Sequence, residues 1–457
     1  MNSSLSYSIF ISFCISTLIY GIFRIPFTNP ILNHINPILN HINNLLNKNK
    51  ESKTNRKKIG LLTNEIPPIV YGGVATWIVQ FIEMFQNDTD YEIIPIFLAY
   101  NDTDTDIIEE KYSNIRIIRN SDDLKTHFED IDSCINNLWI ALDTIKQLKS
   151  IYPNLPIISV CHSLIKMEHL TNMGSCYTNT FSEQEITFEH SDYVILISKA
   201  ELDYYNKFGY NKFKAIPVVI YNSYNPQFDN KDVFNNYGNN NVGYIGRHVP
   251  RKRPELPILS VNKLGLDDIK VFNMGVDYGT YGNSYWQELE KKFKVQLNII
   301  PFNCNKELKE LYYKNIGVNC CTGIYEPFGY TLCEVLDRRI PVIVQNIDGP
   351  VEIIDKVKDY VYIYKVDKEN LNNDVDNFSN TLKEFYTLDS NTRKKNSELA
   401  RKALDQFRPE IIKLDWLNVL SNLDTNVNTI DNTIDSKTEP ENGYLKTIYN
   451  IFTGLFS

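Results

Sequence analysis

The sequence predicts an α/β protein built from two doubly wound domains facing one cleft. Short apolar runs alternate with helical stretches from Lys58 onward, and the alternation restarts after a turn-rich break at 225–241. At 457 residues the chain has room for two such domains plus tails. Hydrophobic residues make up 43% and charged residues 23%, so a packed core is expected rather than a disordered polymer. The formal net charge of −9 argues against wide nucleic-acid contact, which needs a basic surface. A local basic pocket for a small phosphorylated ligand stays compatible with it.

Residues 1–27 read as a membrane anchor. Leu5–Phe23 carries no charge, and its 19 positions would span about 28 Å as a helix, enough for a bilayer core. No Lys or Arg precedes it, so a cleaved signal fits less well. Arg24, Lys48, Lys50, Lys53, Arg56, Lys57 and Lys58 follow it, and the positive-inside tendency then puts the body of the protein on the cytosolic side of a single-pass membrane protein. Residues 28–57 are polar and Asn-rich and read as a linker.

The first doubly wound domain spans 58–224. "KIGLLTN" at 58–64 reads as a buried strand and Val74–Phe85 as a helix. "YEIIPIFLA", "NIRIIR", "PIISVCH" and "YVILIS" continue the strands. The break at 225–241, "NPQFDNKDVFNNYGNNN", is rich in turn formers. "VGYIG", "IKVFNMG", "VQLNII", "IGVNC", "PVIVQ" and "YVYIYKV" then supply the strands of a second domain, 242–420, with helices expected at 391–407 and 410–420. Residues 421–457 read as a polar, disordered tail with a short apolar end. The eight cysteines show neither C-x-x-C nor metal-ligand spacing, and read as buried free thiols.

Three stretches carry chemistry. "NEIPPIVYGGVATW" follows the first strand, and Gly72 and Gly73 open the next helix, where backbone N–H groups can come close to an anion. "VCHSL" puts His162 at a strand end as a contact for substrate hydroxyls. "GRHVPRKRP" follows the first strand of the second domain and offers Arg247 and Lys252 beside Arg251 and Arg253, the densest basic cluster of the globular part and suited to phosphate. Finally "YEPFGYTLCEV" sets Glu326 on a loop at the sheet edge and Glu334 in the helix that follows. Two carboxylates so placed can accept hydrogen bonds from two hydroxyl-bearing groups. A sugar nucleotide offers both, a sugar ring and a ribose, with a diphosphate between them for Arg247 and Lys252.

These motifs resemble the GT-B glycosyltransferases, specifically glycosyltransferase family 4 (glycosyl transferases group 1). The family's E-P-F-G-x-x-x-x-E stands as "EPFGYTLCE", its G-R-x-x-x-x-K as "GRHVPRK", and its first-domain Gly-Gly as "YGG". His162, Ser198 in "ILISKAE" and Asn222 in "VIYNSYN" complete the set, and the resemblance covers 58–420. It implies a retaining, metal-independent transfer from a nucleotide-diphosphate sugar, with no cofactor, to an unidentified glycan, lipid or protein acceptor. Glu334 would hold the ribose, Glu326 and His162 would meet the donor sugar, and Arg247 and Lys252 would stabilise the leaving diphosphate. Gly72, Gly73, Phe328 and Gly329 would line the donor site.

Three departures stand out. Arg339 replaces the glycine that closes the helix after the second Glu, "NSYN" replaces the usual N-G-V-D near the hinge, and "DGPVE" replaces a Gly-Gly before Glu352. The alternative is a catalytically degenerate GT-B protein that binds sugar nucleotides or acts as a membrane scaffold. A GT-A enzyme would need a metal-binding Asp-x-Asp. "NDTDTD" at 101–106 has that spacing but lies in a polar, low-complexity loop. A dinucleotide oxidoreductase would need G-x-G-x-x-G after a strand, and none occurs.

Overall fold

The apolar runs become strands covered on both faces, as parallel strands in a doubly wound sheet require. The computed structural model describes residues 56–99, 105–138, 143–171, 181–229, 234–277, 281–301 and 306–426. Residues up to Asp415 belong to one compact unit and those from Trp416 to another.

The first sheet is formed by β1 (Lys57–Thr63), β2 (Tyr91–Leu98), β3 (Arg116–Ile118), β4 (Ser133–Asn136), β5 (Ile157–Cys161), β6 (Tyr193–Leu196) and β7 (Ile216–Val219), in the order β3-β2-β1-β4-β5-β6-β7. The second is formed by β8 (Val242–Ile245), β9 (Lys270–Gly275), β10 (Gln296–Pro301), β11 (Val318–Cys321), β12 (Val342–Gln345) and β13 (Tyr362–Tyr364), in the order β10-β9-β8-β11-β12-β13. Every pairing is parallel. In each sheet the order reverses beside its first strand, between β1 and β4 and between β8 and β11. A crevice opens at the carboxyl ends of such a pair, the usual ligand position in open α/β sheets.

Some elements escaped the apolar pattern. β4 is half polar, yet it is buried at the centre of its sheet because its polar groups are paired: Asn136 Nδ2 donates to Ser159 Oγ at 3.0 Å, and Asn136 Oδ1 accepts from the Leu138 N–H at 3.1 Å. β7 is an edge strand that tolerates Pro217. The helix Leu371–Tyr386 looks like a polar Asn-rich tract, but Val375, Phe378, Leu382 and Phe385 recur at helical spacing and join the second core. Asn370 caps it, its side chain accepting from the N–H groups of Asn372 and Asn373. The last helix, Pro409–Asn426, continues through Ser421, so the disordered tail expected from there does not begin at that residue.

Arg339 keeps the backbone that the missing glycine would have taken. Its φ is 59°, in the left-handed region, at a cost of about 1–2 kcal/mol. Its guanidinium offsets this by donating to the carbonyls of Phe228 and Asp229 at 3.0 Å each. That also anchors the interdomain break, whose Asp229 pairs with Arg401 and Arg408.

The expected single-pass membrane protein is corrected. Among the described residues no helix is long and apolar enough to cross a membrane. The segment Leu5–Phe23 behind that expectation, most of the 28–57 linker and the apolar end at 443–457 lie outside the described residues.

Candidate active site

The loops leaving β8 and β11 meet at the second switch point. Thr322 Oγ1 donates to the carbonyls of Lys252 (2.7 Å) and Arg253 (3.0 Å), and the Ile324 N–H donates to the Arg251 carbonyl at 2.8 Å. This stitching places Lys252 against Glu326, and the two side chains form a part-buried ion pair. Burial works against the Glu326 charge, but Lys252, Arg251 and Arg247 carry its carboxyl below the usual range. Burial pushes the Lys252 ammonium down from the ordinary lysine value, against the pull of Glu326.

The basic cluster is divided by this geometry. Arg253 turns inward to a buried pair with Asp374, and Arg251 is buried against Glu168 at 3.1 Å. Arg247 is exposed, and Lys252 is part-buried at the cleft.

The turn that carries Glu326 is fixed from below. Gly349 accepts no side chain, since a Cβ there would lie 2.4 Å from the Pro327 carbonyl oxygen and 2.5 Å from the Phe328 Cα. Its N–H donates to the Glu326 carbonyl at 3.0 Å. Asp348 stands where the family has the first of two glycines and keeps a left-handed φ of 55°. Its carboxylate accepts from the Glu326 N–H (3.2 Å) and the Tyr204 hydroxyl (2.8 Å), so it closes the turn that a bare glycine would leave open. Gly329, at φ 116°, makes the sharp entry into the helix Tyr330–Asp337 that needs glycine. The ring of Phe328 is buried between Tyr330 and Phe407, each 5.4 Å away, and helps to hold the turn.

Glu334 sits one turn into that helix. Its Oε2 accepts from the Tyr313 hydroxyl at 3.0 Å and pairs with Lys309 at 2.6 Å, both on the helix Lys306–Asn315. A cavity of about 330 Å³ lies beside it, between Tyr330, Glu334 and Arg338 on one wall and Thr76, Gln80 and Glu83 on the other.

In the first domain, Gly72 and Gly73 are exposed at the start of the helix Gly73–Phe85. A Cβ at Gly72 would meet only Glu65 at 3.9 Å, and one at Gly73 only Tyr330 at 3.8 Å, so the protein's own packing does not demand glycine at either place. His162 follows β5, part-buried, edge-on to Trp77 at 5.2 Å and hydrogen-bonded through Nε2 to Asn137 Oδ1. Burial pushes its pKa down to about 3, so the ring is neutral and its Nε2–H donates to Asn137. Ser198 caps the helix Lys199–Lys207, and Asn222 is buried near the end of the first domain. Glu352 caps the same helix across the domains, accepting from the N–H groups of Lys199 (3.0 Å) and Ala200 (2.8 Å) and the Tyr221 hydroxyl (2.7 Å). Of the "NDTDTD" stretch at 101–106, residues Asn101–Asp104 lie outside the described residues. Cys134, Cys161, Cys320 and Cys333 are free and buried, as expected, and Cys321 is free and part-buried.

Residues 227–402 match the family model described as glycosyl transferases group 1. Over this stretch, less than half of the chain, the protein is similar to the glycosyl transferases group 1 family, and its fold is that of the GT-B glycosyltransferases. A curated relative, the probable sucrose-phosphate synthase of Thermosipho melanesiensis, is 29% identical over 188 residues, covering 40% of this chain and 41% of that protein. The match thus spans about two fifths of the relative's length. Among solved structures, the sucrose-phosphate synthase of Thermosynechococcus elongatus aligns with a TM-score of 0.65 at 16% identity, over 81% of this chain and all of the other. Anabaena HepE in complex with UDP-glucose aligns at 0.61 with 15% identity, over 80% and 99% of the two chains. TarM from S. aureus, in a complex that includes UDP, aligns at 0.59 with 14% identity, over 79% and 99%. At these identities the likeness is one of fold.

Sequence reading missed the first-domain acids Glu168 and Glu201, and the second-domain Lys309 and Tyr313. Glu168, Lys309 and Tyr313 stand in no quoted motif, whereas Glu201 ends "ILISKAE", three residues after Ser198. A carboxylate in register with Tyr205 on the buried face of a short helix was the available signal for Glu201.

Proposed function

We propose that this protein transfers a sugar, with retention of anomeric configuration, from a nucleotide-diphosphate sugar to an acceptor hydroxyl, without a metal ion. The observation that carries the reading is the Lys252–Glu326 pair under the charge of Arg247, set at the switch point. Arg247 and Lys252 would bind the diphosphate. As the glycosidic bond breaks, negative charge grows on the leaving diphosphate, and fixed cations there lower the barrier without a divalent ion. Glu326 would meet hydroxyls of the donor sugar, and Glu334 those of the ribose through its other oxygen, Oε1. The neutral His162 would face the transferred sugar; with a depressed pKa it suits hydrogen bonding better than proton transfer at neutral pH. Attack on the same face that the diphosphate leaves lets a departing phosphate oxygen take the acceptor proton, so no separate protein base is needed. HepE with UDP-glucose and TarM with UDP support a uridine nucleotide as the first donor to try.

The test is nucleotide release by the full chain from a panel of nucleotide sugars, with water and simple sugars as acceptors, with and without EDTA. Release that survives EDTA and is lost in Glu326→Ala and Glu334→Ala supports the reading. Release from no donor, together with no thermal stabilisation by any nucleotide, overturns it.

A further inference from the structure

Tyr325 leaves its own domain. It belongs to the second-domain loop, immediately before Glu326, yet its side chain is fully buried in a first-domain core cluster with Cys161, Leu164, Phe188 and Tyr205. Its hydroxyl accepts from the Leu164 N–H at 3.0 Å, donates to Glu201 Oε2 at 3.0 Å and lies 3.3 Å from Ser163 Oγ. Glu201 is wholly buried, and its Oε2 also accepts from the Leu164 N–H at 3.1 Å. Its Oε1 has no hydrogen-bond partner among the described residues.

The peptide that joins Tyr325 to Glu326 is gripped a second time. Arg251 donates to the Tyr325 carbonyl at 3.2 Å, and its guanidinium lies 5.9 Å from the centre of the Tyr325 ring. Arg251 itself is held by Glu168, which also accepts from Ser163 Oγ at 2.8 Å. Hydroxyl, ring and carbonyl of Tyr325 are therefore all fixed by groups that the first domain supplies or anchors. The next residue is Glu326. A loop so tied cannot move relative to the first domain without breaking buried hydrogen bonds, each costly to leave unmade.

We infer that the first-domain acids Glu201 and Glu168 position Glu326, acting through Tyr325 and Arg251, so that the donor-sugar side of the site is complete only while the two domains hold this contact. They are positioning residues and touch no substrate in this scheme. The inference rests on the transfer reading for its kinetic consequence, but its structural part stands apart from it.

The test compares the full-length wild type with Tyr325→Phe, Glu201→Gln and Glu201→Leu. Tyr325→Phe keeps the ring and loses the hydroxyl. Its kcat is expected to fall about 10- to 100-fold with the donor KM within about threefold, because misplacement of a reacting geometry costs rate before binding. Glu201→Gln keeps an oxygen for both donors and is expected to stay within about threefold of wild type, whereas Glu201→Leu is expected to behave like Tyr325→Phe. Amide hydrogen exchange at 324–329 is expected to quicken in Tyr325→Phe and Glu201→Leu but not in Glu201→Gln, whether or not a donor is turned over. Unchanged kcat in Tyr325→Phe, or equal loss in Glu201→Gln and Glu201→Leu, overturns the inference. Should the wild type turn over no donor, the transfer reading fails, and the exchange pattern still decides the positioning: unchanged exchange at 324–329 overturns it.

Discussion

Glu326 and Glu334 come from one motif eight positions apart and live in different surroundings. Glu326 is pressed among Lys252, Arg251 and Arg247, and its loop is tied to the first domain through Tyr325. Among the described residues Glu334 is held from inside its own domain, by Lys309 and Tyr313 on one neighbouring helix. The difference teaches that an E-x7-E spacing specifies two jobs. One carboxylate sits where the domains meet, among three cations, and the other is paired on a single neighbouring helix, and the proposed transfer would use the first at the reacting bond and the second for binding.

Glu326→Ala should therefore have the largest effect. It would remove the proposed donor contact and strand part-buried cations, so kcat should drop by about 10³-fold or more and stability by about 3 kcal/mol. Nucleotide release and chemical denaturation read the two. Lys252→Met should follow, with about a 10²- to 10³-fold loss of kcat. Arg247→Met separates charge from packing: its exposed guanidinium predicts a rate loss with a stability change within about 0.5 kcal/mol. Glu334→Gln should sharpen the contrast by acting on binding, raising the donor KM about 10-fold while kcat changes less.

A pH series probes the first-domain side. Burial pushes the Glu201 carboxyl up to about 8, against the hydrogen bond from Tyr325 and with help from Asp348 and Glu168. Below about pH 4.5 the folded and unfolded chains both hold this proton. Between there and pH 8 the unfolded chain releases it and the folded chain keeps it, so stability is lost as pH rises. Relative to wild type, Glu201→Gln should gain about 3 kcal/mol on going from pH 5 to pH 8. His162 acts in the opposite sense, costing stability as pH falls below about 6.5 because its folded pKa is depressed. Arg339→Gly should matter least. It relieves a left-handed φ and loses two hydrogen bonds, so unfolding free energy should shift by less than about 1 kcal/mol.

The two halves of the cleft were unequally legible. All six second-domain strands follow apolar runs, and its candidate site residues sit in short contiguous motifs because two loops and one helix carry them. The first-domain contribution is scattered: Asn137 follows a half-polar strand, Glu168 lies six residues beyond His162, and Glu201 hides in a helix of ordinary polarity. Each acquires meaning only through a partner far away in sequence, as with Glu168 and Arg251. The basic cluster "RHVPRKRP" shows the reverse case, since composition could not say that Arg251 and Arg253 turn inward while Arg247 stays exposed.

The most direct measurement is nucleotide release by the full chain from uridine, guanosine and adenosine diphosphate sugars, run beside Glu326→Ala and Lys252→Met in EDTA. Release from at least one donor by the wild type, reduced about 10²-fold or more in both variants, is the expected result. Release that persists undiminished in the variants, or occurs with no donor at all, would contradict a donor diphosphate site at the Lys252–Glu326 pair.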